Sequence, residues 1–365
     1  MRTGAILFAF GVVVWLDAVW MGRNPSDFLD ASLLSFRIHS VAVPQPGQIF
    51  QRSLSSGSPV PVQGRVGWMG KRVEAAHVGP GQEVIREEDW HLLAERSPGL
   101  AFEGFVTLQP GWNKLYLRSR KIRGYRYHGS IDVGVGELFI VAGQSNASGN
   151  SGTLFLTWGH DVRMAYLEKE GLRWKNSGDD PSVRSGGGSA WPLVGRMLAA
   201  RTGVPVGIIN VAVPGTDIEA WQPGTPCFSG LERAIRSVGP RGVRAILWQQ
   251  GESDAHRSSE EYVQHLATII TQARKLSQPP IPWMVAQASW LYGETSSAVR
   301  QAQQKVWTSG LALEGPDMDR LGSSLRLSDN AHFNEAGTRI QAQSWVDHIC
   351  RWLVKCAPEA QQKNY

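Results

Sequence analysis

Apolar positions along the chain fall into two textures. Between residues 40 and 132 they come in short runs at 48–52, 60–66, 72–77, 102–108 and 114–119, several alternating with polar residues and divided by Gly, Pro and Asn. A period of two marks half-buried strands, and this spacing predicts a small β-sandwich-like domain. From residue 134 the pattern changes. Unalternating, β-rich runs at 138–142, 206–212, 245–249 and 283–286 are separated by helically spaced stretches at 192–201, 231–238, 262–275, 298–307 and 334–355. Such runs read as strands buried on both faces, and strands separated by helices predict a parallel sheet covered on both sides, the α/β class. Residues 154–174 read as an inserted hairpin region and 185–189 as a flexible loop. The second domain therefore runs over 134–356, with a tail at 357–365.

The amino terminus is organised differently. Met1-Arg2-Thr3 precedes an apolar run over 5–16, which Asp17 interrupts. Residues 1–22 have the form of a secretory signal peptide, but bulky Trp20 and Met21 make a poor cleavage site, which leaves an uncleaved membrane anchor as the alternative. Both readings predict a secreted or periplasmic body. A net charge of +5 comes from dispersed Lys and Arg, so no nucleic-acid partner is expected. Cys227, Cys350 and Cys356 form no disulfide framework. Six residues of helix span ~9 Å, so Cys350 and Cys356 can pair only if the closing helix ends between them. No His clusters near them, and neither a metal site nor a thiol nucleophile is supported. Fifteen Trp are available either to pack cores or to stack on sugar rings. In the β domain the reading favours a packing or positioning module over an independent carbohydrate-binding one; exposure of Trp90, Trp112 and Tyr125 bears on the choice.

Candidate chemistry collects after the α/β strands. The run 138–142 stops at Gly143-Gln144-Ser145-Asn146, which places Ser145 at the carboxyl end of a strand, where open α/β sheets hold their sites. Ester hydrolysis by serine needs a base, a group that orients the base, and donors for the oxyanion. Asp329-Asn330-Ala331-His332, in a polar loop before the last helix, lets one loop present both carboxylate and imidazole. Backbone N–H groups of Ser145 and Gly215 are natural oxyanion donors, with the Gln250 side-chain amide as a third. Glu252 and Asp254 read as buttresses of the turn after the third strand, and Gln144 and Asn146 as supports beside the serine. A histidine base predicts hydrolysis that falls as the imidazole protonates.

Taken together, Gly143-Gln144-Ser145-Asn146, Pro214-Gly215-Thr216 with Trp221 after it, Gln250-Gly251-Glu252-Ser253-Asp254 and Asp329-x-x-His332 resemble the SGNH/GDSL hydrolase superfamily, in its branch of sialate O-acetylesterases and related carbohydrate acetylesterases. The resemblance spans about 134–353. It implies a flavodoxin-like three-layer α/β/α fold with a parallel sheet, deacetylation of O-acetylated sugars without a metal or other cofactor, the triad Ser145, Asp329 and His332, and Gln250 as the amide donor. Pro214 departs from the pattern, which more often has Gly there; it removes one backbone N–H but leaves that of Gly215. The expected substrate is an acetylated carbohydrate, cleaved through an acetyl-enzyme. Two alternatives remain at this stage: a polysaccharide O-acetyltransferase, in which a sugar hydroxyl replaces water, and a carbohydrate-binding protein with a silent site. The sugar, the hydroxyl position and the oligomeric state are left open.

Overall fold

The computed structural model describes residues 35–353 and 356, apart from 54–56, 68–69, 71, 83, 96–99, 156–160, 170 and 176–186. The signal or anchor expected at 1–22 and the tail at 357–365 lie outside the described residues.

The first elements are β1 (Ile38–Val43), β2 (Ile49–Gln51), β3 (Ser58–Val66), β4 (Arg72–Val78), β5 (His91–Glu95), β6 (Ala101–Leu108) and β7 (Gly111–Arg120). β1, β3 and β6 form an antiparallel sheet, while β4 pairs with β5 and β7. Alternating apolar positions from both groups meet in one core, with Val60, Val62 and Phe102 on one side and Val73, Leu115, Leu117 and Val133 on the other. The sandwich expected from the period of two is thus present.

β8 (Tyr125–Gly143) follows, and its 19 residues belong to both halves of the molecule. Its first part pairs with β7 and with β2, and its second part is the central strand of the α/β sheet between two later strands. The boundary expected between 132 and 134 therefore falls inside a continuous strand. Glycines at 134 and 136 serve close approach. A Cβ on Gly136 would lie 1.8 Å from the Pro205 carbonyl oxygen, and one on Gly134 2.7 Å from Ile49. Just beyond, fully buried Glu137 accepts from Arg52 Nε at 2.7 Å, Arg244 Nε at 2.6 Å and Gln51 Nε2 at 3.2 Å. Two arginines and an amide on one buried carboxylate fix the junction between sandwich and α/β sheet.

The remaining elements are α1 (Ser145–Ser148), β9 (Val162–Glu168), β10 (Gly171–Lys175), α2 (Trp191–Thr202), β11 (Val206–Asn210), α3 (Pro226–Ser237), β12 (Ala245–Gln249), α4 (Ser259–Lys275), β13 (Trp283–Gln287), α5 (Ser297–Thr308), β14 (Leu313–Asp317) and α6 (Glu335–Trp352). The strand order is β10-β9-β11-β8-β12-β13-β14, parallel except for β10, which returns antiparallel to β9. β10 is the second arm of the inserted hairpin, and β14, whose sequence Leu-Glu-Gly-Pro-Asp carries almost no β signal, closes the opposite edge.

β8 shows why the sheet is covered twice. Leu138, Ile140 and Ala142 pack into a core with Leu231 of α3, Leu266 of α4 and Val306 of α5, whereas Phe139 and Val141 pack with Leu198 of α2 and Trp345 of α6. Three layers result, as the unalternating strands required. Trp191, Trp221, Trp248, Trp283 and Trp345 are fully buried, so these indoles fill cores. The closing helix ends at Trp352, and Cys350 and Cys356 lie at a Cα separation of 5.2 Å in a disulfide, while Cys227 is free. No helix among the described residues is long and apolar enough to cross a membrane.

Candidate active site

Gly143 ends β8 with φ +133°, and a Cβ there would lie 1.9 Å from the Gln249 carbonyl oxygen. Only glycine allows the strand to pass so close to its neighbour and still turn. Ser145 then opens α1, a single turn closed by left-handed Gly149. A one-turn helix leaves its carbonyls without intrahelical partners. Other elements supply them. Gln341 Nε2 donates to Asn146 O at 3.0 Å, Trp191 Nε1 to Ala147 O at 2.6 Å, and Asn210 Nδ2 to Ala147 O and Ser148 O at 3.2 and 3.1 Å. Helices on one face and a strand from the sheet thus hold the turn, while Ser145 remains 9% exposed.

Asp329 and His332 share a loop ahead of α6. Asp329 Oδ1 accepts from the backbone N–H of Ala331 at 2.9 Å and of His332 at 3.0 Å, and Oδ2 lies 2.6 Å from His332 Nδ1. The three-residue spacing lets one carboxylate close the turn and orient the ring. Burial raises the Asp329 carboxyl, but the hydrogen bonds from His332 N–H, Ala331 N–H and the imidazole outweigh it and hold it below the usual aspartate range. Asn146 Nδ2 reaches Ala331 O at 3.3 Å and Arg326 Nη1 reaches the same oxygen at 2.5 Å, so the residue after the serine and the imidazole loop are tied together. Ser145 and His332 themselves share no hydrogen bond in the structure. The sequence had no clear signal for Arg326, Gln341 or Asn210; a polar residue closing an apolar strand, as Asn210 does, was the only available hint.

The other expected residues divide. Gly215 has φ +71° in an exposed turn, and neither its N–H nor that of Ser145 has an acceptor among the described residues. Gln250 departs from its expected role. It is fully buried, and its Nε2 donates to Gln144 Oε1 at 3.2 Å, to Thr216 O at 3.3 Å and to Asp254 Oδ2. Its Oε1 accepts from Tyr262 Oη at 3.0 Å. Two amide hydrogens facing three acceptors leave none free for an oxyanion, so in this structure Gln250 is a clamp between the turns after β8, β11 and β12.

Both acidic residues after Gly251 are buried and accept hydrogen bonds from neighbouring turns. Asp254 is fully buried; it accepts from Ile218 N–H and, at 2.6 Å, from Arg257 Nε, which fixes the Gly215 turn. Glu252 Oε1 accepts from Asn146 Nδ2 at 3.0 Å. Gln144 Oε1 takes Gly251 N–H at 3.4 Å and Ser253 N–H at 3.3 Å. Seven of the nine expected residues, all but Ser145 and Gly215, make these side-chain hydrogen bonds at the carboxyl ends of β8 and β12 and in the loop before α6.

A serine on a tight strand-to-helix turn, beside an Asp–His loop at the carboxyl edge of a three-layer α/β sheet, defines a hydrolase of the SGNH type. Comparison with family models matches residues 135–350, more than half of the chain, to the carbohydrate esterase family described as sialic acid-specific acetylesterase. The chain belongs to that family, and it is a hydrolase that acts on ester bonds. Among solved structures it is similar to a carbohydrate acetylesterase from Xanthomonas citri, at 18% identity and a TM-score of 0.57, covering 85% of this chain and 74% of the other. A protein from Arabidopsis thaliana matches at 20% identity and a TM-score of 0.47, covering 60% of this chain and 99% of the other. A member of the lipolytic G-D-S-L family from Veillonella parvula matches at 14% identity and a TM-score of 0.38, covering 58% of this chain and 97% of the other. No curated protein matches the sequence.

Proposed function

We propose that this chain is an extracytoplasmic serine esterase that removes O-acetyl groups from carbohydrate, O-acetylated sialic acid being the first substrate to test. The observation that carries the reading is the Asp329–His332 pair, 2.6 Å apart, on a loop tied through Ala331 O to the residue that follows Ser145. Family membership and the similarity to a carbohydrate acetylesterase support the substrate class.

In this mechanism Asp329 accepts the Nδ1–H of His332, which leaves Nε2 as the base. Ser145 Oγ gives its proton to Nε2 and attacks the acetyl carbonyl; the N–H groups of Ser145 and Gly215 receive the oxyanion. The sugar oxygen leaves with the proton returned from Nε2, and the acetyl group stays on Ser145. Water, deprotonated by the same nitrogen, then releases acetate. Gln250, Asp254 and Glu252 act by holding the three turns in register. The segment 1–22, with its apolar run at 5–16, directs the chain to export or anchors it in a membrane.

The test is acetate release from 9-O-acetyl-N-acetylneuraminic acid and from an acetylated xylo-oligosaccharide by the wild type and by Ser145→Ala. Acid-quenched wild type is expected to carry one acetyl group on the Ser145 peptide by mass spectrometry. Equal release by both proteins, or no release by the wild type from either sugar, contradicts the proposal.

A further inference from the structure

The turn after β13 has a feature that the proposed chemistry does not use. Residues 290–294 fold back on themselves through paired backbone bonds, Leu291 N–H to Glu294 O at 2.9 Å and Glu294 N–H to Leu291 O at 3.1 Å. At its tip Tyr292 is 72% exposed and has φ +53°. A left-handed conformation costs a non-glycine residue about 1 to 2 kcal/mol, and an exposed tyrosine gains nothing from a core to offset it.

The base of this turn is not loose. Buried Asp319 accepts from Ser289 N–H at 2.8 Å, Trp290 N–H at 2.9 Å and Ser289 Oγ at 2.7 Å, and pairs with Arg300 at 2.8 Å. Trp290 Nε1 donates to Asn330 O at 3.0 Å, and the Arg326 guanidinium lies 5.0 Å from the Trp290 ring. A Cβ on Gly293 would sit 3.1 Å from Asn330 Nδ2, so the turn rests on the residue that follows Asp329. Asn330 is itself left-handed, with φ +51°. Among the described residues only Leu100, Tyr292 and Asn330 have this conformation without being glycine, and the turn that carries Tyr292 rests against Asn330.

We propose that Tyr292 is a stacking platform for the pyranose ring of the substrate, beside the Asp329–His332 loop. An exposed aromatic ring on a turn that rests against the Asp329–His332 loop offers a flat apolar surface to solvent, and the apolar face of a pyranose matches it. Trp290 is a positioning residue that seats the platform against the Asp329–His332 loop. The assignment rests on the carbohydrate reading above, but not on the chemical step.

Binding separates the two. Titration of Ser145→Ala with 9-O-acetyl-N-acetylneuraminic acid and with an acetylated xylo-oligosaccharide, followed by calorimetry, is expected to give saturable binding of at least one sugar. Adding Tyr292→Ala is expected to weaken it about tenfold, and Tyr292→Phe to leave it within about twofold. In the otherwise wild-type enzyme Tyr292→Ala is expected to raise KM for the bound sugar while hydrolysis of ethyl acetate, which has no ring, stays unchanged. Undiminished sugar binding in Tyr292→Ala, or no sugar binding at all, overturns the platform. Sugar binding that needs Tyr292 without any acetate release by the wild type instead overturns the esterase proposal and keeps the platform.

Discussion

Asn146 Nδ2 donates to Glu252 Oε1 over 3.0 Å, joining the residue after the serine to the turn that follows β12. Glu252 is 4% exposed, and its Oε2 is buried without a partner. Burial raises its carboxyl above the usual glutamate range; the Asn146 hydrogen bond and the Arg326 charge oppose this, and Asp319 adds to it. A raised folded pKa favours the protonated form in the fold. Its contribution to stability is full below the ordinary glutamate value and is lost as pH rises through the raised value.

Glu252→Gln keeps the acceptor for Asn146 and removes the buried charge. Its melting temperature is therefore expected to exceed that of the wild type near neutral pH, with the gap closing toward acid. Thermal melts from about pH 4 to about pH 8 read this directly. A gap that is constant across that range would mean that Glu252 is not paying a buried-charge penalty.

Asp329 titrates in the opposite direction. Its depressed value means that the Asp329–His332 pair contributes stability above the ordinary aspartate range and loses it only as pH falls through the lower folded value. The carboxylate therefore stays charged in mild acid. Asp329→Asn is expected to lower kcat by about 10³-fold or more at every pH, since the ring loses the acceptor that fixes its tautomer. The Asp329 side chain is 42% exposed, so the melting temperature should hardly move. A small loss of kcat in steady-state acetate release would remove Asp329 from the machinery.

Gln250→Leu distinguishes a clamp from an oxyanion donor. Substitution removes the Gln250 donor from Thr216 O, Gln144 Oε1 and Asp254 Oδ2 and leaves Tyr262 Oη without one of its acceptors. With several buried polar groups affected, a loss of about 2 to 4 kcal/mol in urea unfolding is expected, together with a fall in kcat. A free oxyanion donor would instead lower kcat by about 10²-fold or more and leave unfolding unchanged.

The sheet was legible because its strands, buried on both faces, are apolar without alternation, and Leu138 to Ala142 could be read as nothing else. β14 escaped because an edge strand need not be apolar, and β8 was cut short because its pattern changes along its length, from exposed or half-buried over the first residues to buried throughout from Val133 on. In the site, Ser145, Asp329 and His332 were legible as residue types at turns after strands or before a helix. Gln250 was placed in the right turn with the wrong bonds, because the direction of a buried amide depends on acceptors as far away as Gln144 and Thr216. The same holds for Arg326, whose three carbonyl acceptors, Leu321 O, Met318 O and Ala331 O, are set by a loop fold that has no sequence period.

Two glycines at the site make opposite predictions. Both have positive φ, +133° at Gly143 and +71° at Gly215, but their surroundings differ. A Cβ on Gly143 would be 1.9 Å from backbone, whereas one on Gly215 would meet nothing within 4 Å. Gly143→Ala must separate β8 from β12 and is expected to cost more than about 4 kcal/mol, which leaves little folded protein. Gly215→Ala carries only the left-handed penalty of about 1 to 2 kcal/mol and should fold. If the Gly215 N–H receives the oxyanion, relaxation of that strain turns the donor away, and kcat should fall while sugar binding to the Ser145→Ala background does not. A folded Gly215→Ala enzyme that unfolds as expected but retains full kcat would show that the oxyanion is held elsewhere.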